Sequence, residues 1–166
     1  MIYFIIAFLI EFMVINFMKL YPFNYQLFSK YLSNRESSNN YQAQNLIAYG
    51  KYQFTVQTIN QIASELNIVS PDTNTFLNSP SLQEAFFVKY VSDILKQIID
   101  LNLLQYLGQQ MNGQTIDIYG LVAGAWLGGV GGLKNELVNN SETPDYLGTN
   151  ISDYIALFSS YKISNV

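Results

Sequence analysis

"NYQLFSKYLSNRESSNNYQAQNLIAYGKYQF", residues 24–54, is the stretch from which the fold can be predicted. Its first part repeats apolar and aromatic residues at the spacing of a helix with one buried face, namely Tyr25, Phe28, Tyr31 and Leu32. Glu36 stands where that helix should end, because the "SSNN" that follows consists of residues that favour turns. The aromatic "YGKYQF" then predicts a tight turn entering a second helix.

The rest of the chain also favours helices. Helical periodicity covers "TVQTINQIASELN" (55–67), "LQEAFFVKYVSDILKQIIDLNLLQYL" (82–107) and "ISDYIALFSSY" (151–161). Between the first two, "VSPDTNTFLNSP" contains two prolines and predicts a surface connection. No stretch sustains the alternation that a strand requires. We therefore predict a mostly α protein with a single compact domain over residues 21–166.

The composition excludes several classes of function. The net charge is −4, and no run of Lys or Arg resembles a nucleic-acid-binding surface. The chain has no cysteine and no histidine, so it can form neither a thiolate metal site nor a His-dependent catalytic triad. Any acid–base chemistry must come from carboxylates, Lys or Tyr. We predict no metal and no organic cofactor.

The first twenty residues, "MIYFIIAFLIEFMVINFMKL", are apolar apart from Glu11, Asn16 and Lys19. The apolar part is near the lower limit of about 17–20 residues for a membrane-spanning helix. It lacks the positive start and the small-residue cleavage site of a secretory signal. We predict that residues 1–20 are an uncleaved anchor or export signal, which would bring the protein to the membrane. A buried or partner-binding apolar helix is the alternative.

Glycines recur at every fourth position in "GLVAGAWLGGVGGL", at Gly120, Gly124 and Gly128. This spacing lets two helices approach closely, inside a compact domain or inside a membrane. The apolar segment around it is short for a membrane span, and its glycine cluster would make a poor continuous helix. Close packing within the domain is therefore the prediction, with a second membrane span as the alternative.

Three pieces of the sequence occur in a fixed order: Glu36-Ser37 at a helix end, "AYGKYQF" (48–54) and "GLVAGAWLGGVGGL" (120–133). In that order they resemble the lysozyme-like superfamily, in particular lytic transglycosylases and goose-type lysozymes. The similarity is closer to secreted bacterial domains that read "GKYQF" and "LLAGAHLGGVGGL", and it covers most of residues 25–161. The resemblance implies a lysozyme-like helical fold and cleavage of the MurNAc–GlcNAc linkage of peptidoglycan in the cell envelope.

The resemblance also implies the role of Glu36, which would act first as an acid and then as a base. Independently of it, a carboxyl group in apolar surroundings can protonate a leaving oxygen near neutral pH. Most glycosidases need a second carboxylate, and no second acid stands at convincing spacing; Asp72, Asp117 and Asp145 are merely available. Lytic transglycosylases dispense with it because the N-acetyl group of the substrate assists. A site with a single catalytic Glu therefore favours transglycosylation over hydrolysis, although both remain open.

The remaining site residues are predicted from their counterparts in the family. Gln53 would hold the sugar or orient Glu36, and Ser37 would hydrogen-bond the Glu36 carboxylate. Tyr49 and Tyr119 would contact or stack on the sugar, Gly50 would allow close backbone approach, and Trp126 would line the cleft. The chain departs from the family at Trp126, where a His or Tyr is expected, and in the Asn residues after Glu36, where Gly is more frequent.

Other interpretations remain open. Glu36 by itself could be a solvated residue at a helix end, and "AYGKYQF" could be core packing. The protein could be a catalytically weak relative that binds glycan strands in an envelope assembly, which the departure at Trp126 favours. It could also be a small membrane scaffold that uses both apolar segments. The sequence predicts no oligomeric state.

Overall fold

The computed structural model of the protein describes residues 23–139, 141 and 148–161. The predicted anchor, residues 1–20, lies outside the described residues. The described part is mostly helical, as predicted. Contacts divide the described residues into two compact units: an α1 unit, Tyr25–Asp93, and an α5 unit that comprises Phe23, Asn24 and the described residues from Ile94 onward. The prediction of a single domain over residues 21–166 stays a prediction.

Six α-helices and two short hairpins make up the described part of the chain. The helices are α1 (Tyr25–Ser37), α2 (Val56–Glu65), α3 (Thr73–Leu77), α4 (Pro80–Asp100), α5 (Ile118–Asn139) and α6 (Ile151–Ser160). The strands pair as antiparallel hairpins, β1 (Ala48–Tyr49) with β2 (Phe54–Thr55) and β3 (Gln110–Met111) with β4 (Gln114–Thr115).

Aromatic rings form the core of the α1 unit. Tyr52 is fully buried and stacks on Phe87 of α4 at a centroid distance of 4.4 Å. Phe87 also stacks on Phe28 of α1, so the predicted buried face of the first helix is confirmed at that position. Phe54 packs edge-on against Phe76 at 6.1 Å. Because these rings come from α1, the β1–β2 hairpin, α3 and α4, they hold the hairpin against the helices.

One local prediction for the α1 unit is confirmed in outline and another is wrong. "YGKYQF" forms a turn that leads into α2 at Val56, as predicted, but the turn also closes a two-residue hairpin that was not predicted. The predicted surface connection over residues 69–80 contains α3, whose first turn is capped by Asp72 accepting from the Thr75 backbone N–H at 2.8 Å. α3 forms there because Phe76 and Leu77 are buried. A helix of five residues is too short for its apolar periodicity to be recognised in the sequence.

The α5 unit begins within α4, which is shorter than predicted. Asn102 adopts a left-handed conformation with φ of +55°, and a 3₁₀ turn over Leu103–Tyr106 follows instead of further α-helix. The β3–β4 hairpin turns at Asn112 and Gly113, both with positive φ, which a tight two-residue hairpin turn requires. Asn112 also donates from its Nδ2 to Asp153 of α6 at 3.0 Å.

The glycine stripe of α5 faces α6, and the predicted close packing is confirmed. A Cβ on Gly124 would lie only 2.7 Å from Ile155 Cγ1, and one on Gly128 would lie 2.8 Å from Ile151 Cγ1. Real Cβ atoms are not found at such distances, so these glycines are needed where the two helices meet. Within the described residues, no helix combines the length and the apolar character that crossing a membrane would need.

α5 is kinked at Gly129, where φ is +70° and ψ is 165°. This backbone conformation is essentially restricted to glycine. No atom lies within 4 Å of the position that a Cβ would take. The requirement for glycine at this position is therefore conformational and not a matter of space.

We expect Gly129→Ala to lower the free energy of unfolding by about 1–3 kcal/mol, the usual cost of such a conformation. The measurement is chemical denaturation followed by far-UV circular dichroism. Since a Cβ would meet no neighbour, a loss of this size must come from the backbone. Unchanged stability would show that the kink relaxes in solution.

Candidate functional site

Glu36 lies in the last turn of α1 and is half-buried. The helix ends one residue later, at Ser37, because Ser38 and Asn39 both take left-handed conformations, with φ of +54° and +64°. The Asn39 backbone N–H donates to the Ser33 carbonyl at 2.9 Å, and the Ser33 hydroxyl donates to Asn39 Oδ1 at 3.2 Å. The Ser and Asn residues after Glu36 thus terminate the helix, as their turn preference predicted.

Ser37 ties this helix end to the β1–β2 hairpin. Its hydroxyl donates to the Lys51 carbonyl at 2.7 Å and accepts from the Asn40 backbone N–H at 3.0 Å. The family resemblance implied a bond from Ser37 to the Glu36 carboxylate. A hydroxyl has one proton, and at Ser37 the shorter of its two carbonyl contacts is the one to Lys51. Ser37 therefore joins the end of α1 to the hairpin.

Gly50 and Gln53 shape the turn of that hairpin. Gly50 has φ of +81°, and a Cβ at this position would overlap the Gln83 side chain of α4. Gln83 Oε1 accepts from the Lys51 backbone N–H at 2.8 Å. The space beside Gly50 is therefore filled by the buried Gln83 side-chain amide and is not open to a ligand. The Gln53 amide donates to the Gly50 carbonyl at 2.8 Å and accepts from Asn45 Nδ2 at 3.0 Å. Both residues are thus committed to holding the turn.

The other predicted sugar-contacting residues are divided between the two units. Tyr49 is half-buried in β1 and belongs to the α1 unit together with Glu36, Ser37, Gly50 and Gln53. Tyr119 belongs to the α5 unit, where it is buried, its ring stacks on Phe23 at 4.8 Å and its hydroxyl accepts from the Asn24 backbone N–H. Trp126 is half-buried in α5. Five of the seven predicted residues thus lie in one unit. The Ser37–Lys51 hydrogen bond links the end of α1, which carries Glu36 and Ser37, to the hairpin that carries the other three.

A hydrogen-bonded cluster around Glu84 was not predicted. Glu84 Oε1 accepts from Lys51 Nζ at 2.7 Å and from the Tyr41 hydroxyl at 2.6 Å, while Oε2 accepts from Tyr52 at 2.8 Å. The Tyr52 hydroxyl is in turn 2.6 Å from Ser29 Oγ of α1. Lys51, only 8% exposed, is the one buried lysine among the described residues. A lysine inside an aromatic run was a signal of burial, but nothing local identified its partner.

The cluster is electrostatically balanced. Burial raises the pKa of Glu84, but the hydrogen bonds from Lys51, Tyr41 and Tyr52 lower it by a larger amount. The pKa of Glu84 therefore lies below its ordinary value. Burial lowers the pKa of Lys51, and the bonds to Glu84 and the two tyrosines more than compensate, so that it is raised. Burial raises the pKa of Tyr52 to about 12. At neutral pH the cluster therefore contains a carboxylate, an ammonium and two neutral phenols.

We expect acid to destabilise the α1 unit through Glu84. A carboxylate whose pKa is lowered by folding stabilises the protein above its unfolded value of 4.5, and this contribution is lost as the pH falls through the folded pKa. Glu84→Gln should cost about 1 kcal/mol at neutral pH, since more than a third of the side chain is exposed. The variant should also lose less stability than wild type on acidification from about pH 5 to pH 3. Urea denaturation of both proteins at each pH measures the free energy of unfolding. An equal loss of unfolding free energy in both proteins between about pH 5 and pH 3 would contradict the prediction.

A cleft of about 510 Å³ lies along α1. We call it the α1 cleft, and it is lined by Gln26, Ser29, Lys30, Tyr31, Asn34, Asn39 and Lys51. Glu36 is not among its lining residues, although Asn39, which follows the end of α1, and Lys51 of the hairpin turn are. All its lining residues belong to the α1 unit. The volume is within the range of about 300–1,000 Å³ that is usual for small-molecule sites.

Comparisons with known proteins found no matching family model, no matching curated protein and no matching solved structure. Within the described residues, no group of three or more carboxylates is placed to hold a metal ion. What the α1 unit offers chemically is one half-buried carboxyl group at a helix end, a hairpin fixed beside that end, and a cleft of hydrogen-bonding side chains.

Proposed function

We propose that the protein is a peptidoglycan-cleaving glycosidase, a lytic transglycosylase or muramidase of lysozyme-like fold, with Glu36 as its acid and base. The observation that carries the proposal is the bond from Ser37 to the Lys51 carbonyl. It joins the end of the Glu36 helix to the "GKYQF" turn, two of the three sequence pieces on which the family resemblance rests. A mostly helical chain with a short hairpin after α1 supports it further.

The other carboxylates of the α1 unit support a mechanism with a single acid. Four of them make internal bonds, because Glu65 and Asp93 pair with Lys89, Asp72 caps α3 and Glu84 pairs with Lys51. Glu36 is the fifth acid of this unit, and it lies half-buried at the helix end. Because the other four are held in structural bonds, none of them is a candidate for a second catalytic acid, and a reaction that needs one carboxyl group fits the unit.

The proposed reaction proceeds in two steps. The Glu36 carboxyl group gives its proton to the glycosidic oxygen, and the carbonyl oxygen of the substrate's N-acetyl group attacks C1 as the C1–O bond breaks. The Glu36 carboxylate then removes a proton from the attacking hydroxyl, which opens the cyclic intermediate at C1. The sugar's own 6-hydroxyl would give an anhydro product, and water would give a reducing end. Both routes return the proton to Glu36.

Digestion of purified sacculi by the full-length protein, with mass spectrometry of the released muropeptides, tests the proposal. We expect anhydro-muramyl products, since the single-acid mechanism favours transglycosylation. Products with reducing ends would support the muramidase alternative. Absence of any released muropeptide from a folded preparation would contradict a cleaving function.

A second candidate is a glycan-binding protein without cleaving activity. It is favoured by Gln53, whose amide is used for internal bonds in the turn, and by Trp126 at a position where the family expects His or Tyr. In this case the protein should co-sediment with sacculi and release nothing. The same digestion, with the pellet analysed for bound protein, separates the two candidates.

The proposed place of action is the cell envelope. The apolar residues 1–20 would anchor the protein in the membrane or direct its export, and glycan strands would be its binding partners. The net charge of −4 offers no attraction to anionic wall polymers. Tethering would supply local concentration instead. Fractionation of cells that express the full chain tests this, and recovery only in the cytosol would contradict it.

A further inference from the structure

We propose that the α1 cleft is a second binding site, distinct from the Glu36 carboxyl group, for a saccharide that carries a carboxylate. Lys30 would face the carboxylate of the ligand, and Ser29 would accept a hydrogen bond from a hydroxyl or amide group of the same ligand. The cleft volume of about 510 Å³ admits a ligand of this size.

The charge of the lining favours an anionic ligand. Lys30 and Lys51 both line the cleft, and none of its lining residues is acidic, although the whole chain carries a net charge of −4. The Lys51 charge is largely offset by Glu84, to which it is bonded at 2.7 Å. Lys30 is exposed and forms no salt bridge with any carboxylate of the described residues. Lys30 is therefore the cation available to a ligand.

The hydrogen-bond chain behind the cleft fixes the polarity of Ser29. Glu84 is ionised at neutral pH, so the Tyr52 hydroxyl must donate its proton to Glu84 Oε2 at 2.8 Å. The 2.6 Å contact between Tyr52 and Ser29 then requires the Ser29 hydroxyl to donate to Tyr52. The proton of Ser29 is directed away from the cleft, and its oxygen remains as an acceptor on the cleft wall. A ligand group placed here must be a donor.

The rest of the lining suits a sugar better than a bare anion. The amides of Gln26, Asn34 and Asn39 can both donate and accept, as ring hydroxyls and acetamido groups require. Tyr31 adds an aromatic ring that can pack against the C–H face of a sugar. The cleft has no Arg for bidentate recognition of phosphate. One cation, one fixed acceptor and several amides together fit an acidic saccharide.

The choice of N-acetylmuramic acid as the sugar rests on the proposed function. This sugar differs from N-acetylglucosamine only by its lactyl group, which carries the carboxylate. The two therefore form a matched pair of probes for the charge preference of the cleft. If peptidoglycan is the substrate, the cleft would select the acidic sugar of each repeat and hold the strand away from the reacting bond.

The experiment measures binding of the two free sugars to the full-length Glu36→Gln variant by NMR titration at low ionic strength. We expect N-acetylmuramic acid to bind about fivefold more tightly than N-acetylglucosamine, the effect of one partly exposed ionic contact. Lys30→Gln in the same background should abolish this ratio. Lys96→Gln, which removes an exposed lysine outside the cleft lining, should preserve it.

Equal binding of the two sugars would overturn the proposal, and so would a ratio that survives Lys30→Gln. Loss of the ratio at about 0.5 M salt is also expected, because exposed charges are screened there. Failure of the site and failure of the proposed function are separable. A charge preference without cleavage of sacculi by wild type would leave the site and overturn the glycosidase, while cleavage without a charge preference would do the reverse.

Discussion

Glu36→Gln is expected to lower the rate of muropeptide release from sacculi by at least about a hundredfold. General acid–base catalysis by a positioned side chain contributes roughly 10²–10⁴-fold to a rate. Gln has nearly the same shape as Glu but cannot give up or accept the proton. The half-buried position in the last turn of α1 should accommodate the substitution without loss of the fold.

Glu65→Gln is the matched control for this variant. It makes the same chemical change at the end of α2, where the carboxylate pairs with Lys89. It should release muropeptides at the wild-type rate and bind sacculi equally well. A Glu36→Gln protein that digests sacculi as fast as wild type would remove Glu36 from the mechanism. If both variants lost activity equally, the effect would be one of stability and not of catalysis.

Gly120→Ala is expected to lower the free energy of unfolding by about 1–3 kcal/mol, the usual cost of overpacking a core. A Cβ here would overlap Ser159 Oγ and lie 2.7 Å from the Ile155 backbone carbonyl oxygen of α6. The hydroxyl can rotate away, but the backbone oxygen cannot. Ser159 Oγ also accepts from the Asp117 backbone N–H at 3.2 Å, so moving it would disturb the start of α5.

Gly131→Ala provides the control because it makes the same substitution on the same helix in open space. No atom lies within 4 Å of the position of its Cβ, and its φ is not in the left-handed region. Ala has a higher helix propensity than Gly, so this variant should gain up to about 1 kcal/mol. Urea denaturation of both variants measures the difference. Equal effects in the two variants would show that the α5–α6 contact is looser than described.

The helices of this protein could be predicted from sequence wherever their apolar face is long. The spacing of Phe28 and Leu32 indicated α1, and the glycine stripe indicated a close helix contact, although the partner helix α6 could not be identified. The two hairpins were missed because strands of two residues have no visible alternation. α3 was missed because "SPDTN" resembles a turn, while its stability comes from Phe76 and Leu77 in the core.

The candidate site was only partly predictable for a similar reason. Its order along the chain, with Glu36 before a glycine turn, was visible in sequence. The partner of Lys51 was not, because Glu84 lies 33 positions away in sequence. Gln53 and Ser37 were expected to act on the substrate or on Glu36. Their hydrogen bonds to backbone carbonyls of the turn could not be predicted. A sequence does not show which backbone groups are buried on folding and need a side-chain partner.

Trp126 lies in α5 and is the only tryptophan of the chain. Fluorescence excited at wavelengths that tyrosine does not absorb therefore reports on the α5 unit alone, whereas circular dichroism at 222 nm reports on the helices of both units. Coincident thermal transitions in the two signals would mean that the units melt as one cooperative block, and separate transitions would give each unit a melting temperature of its own. The protein thus contains a spectroscopic reporter that needs no label.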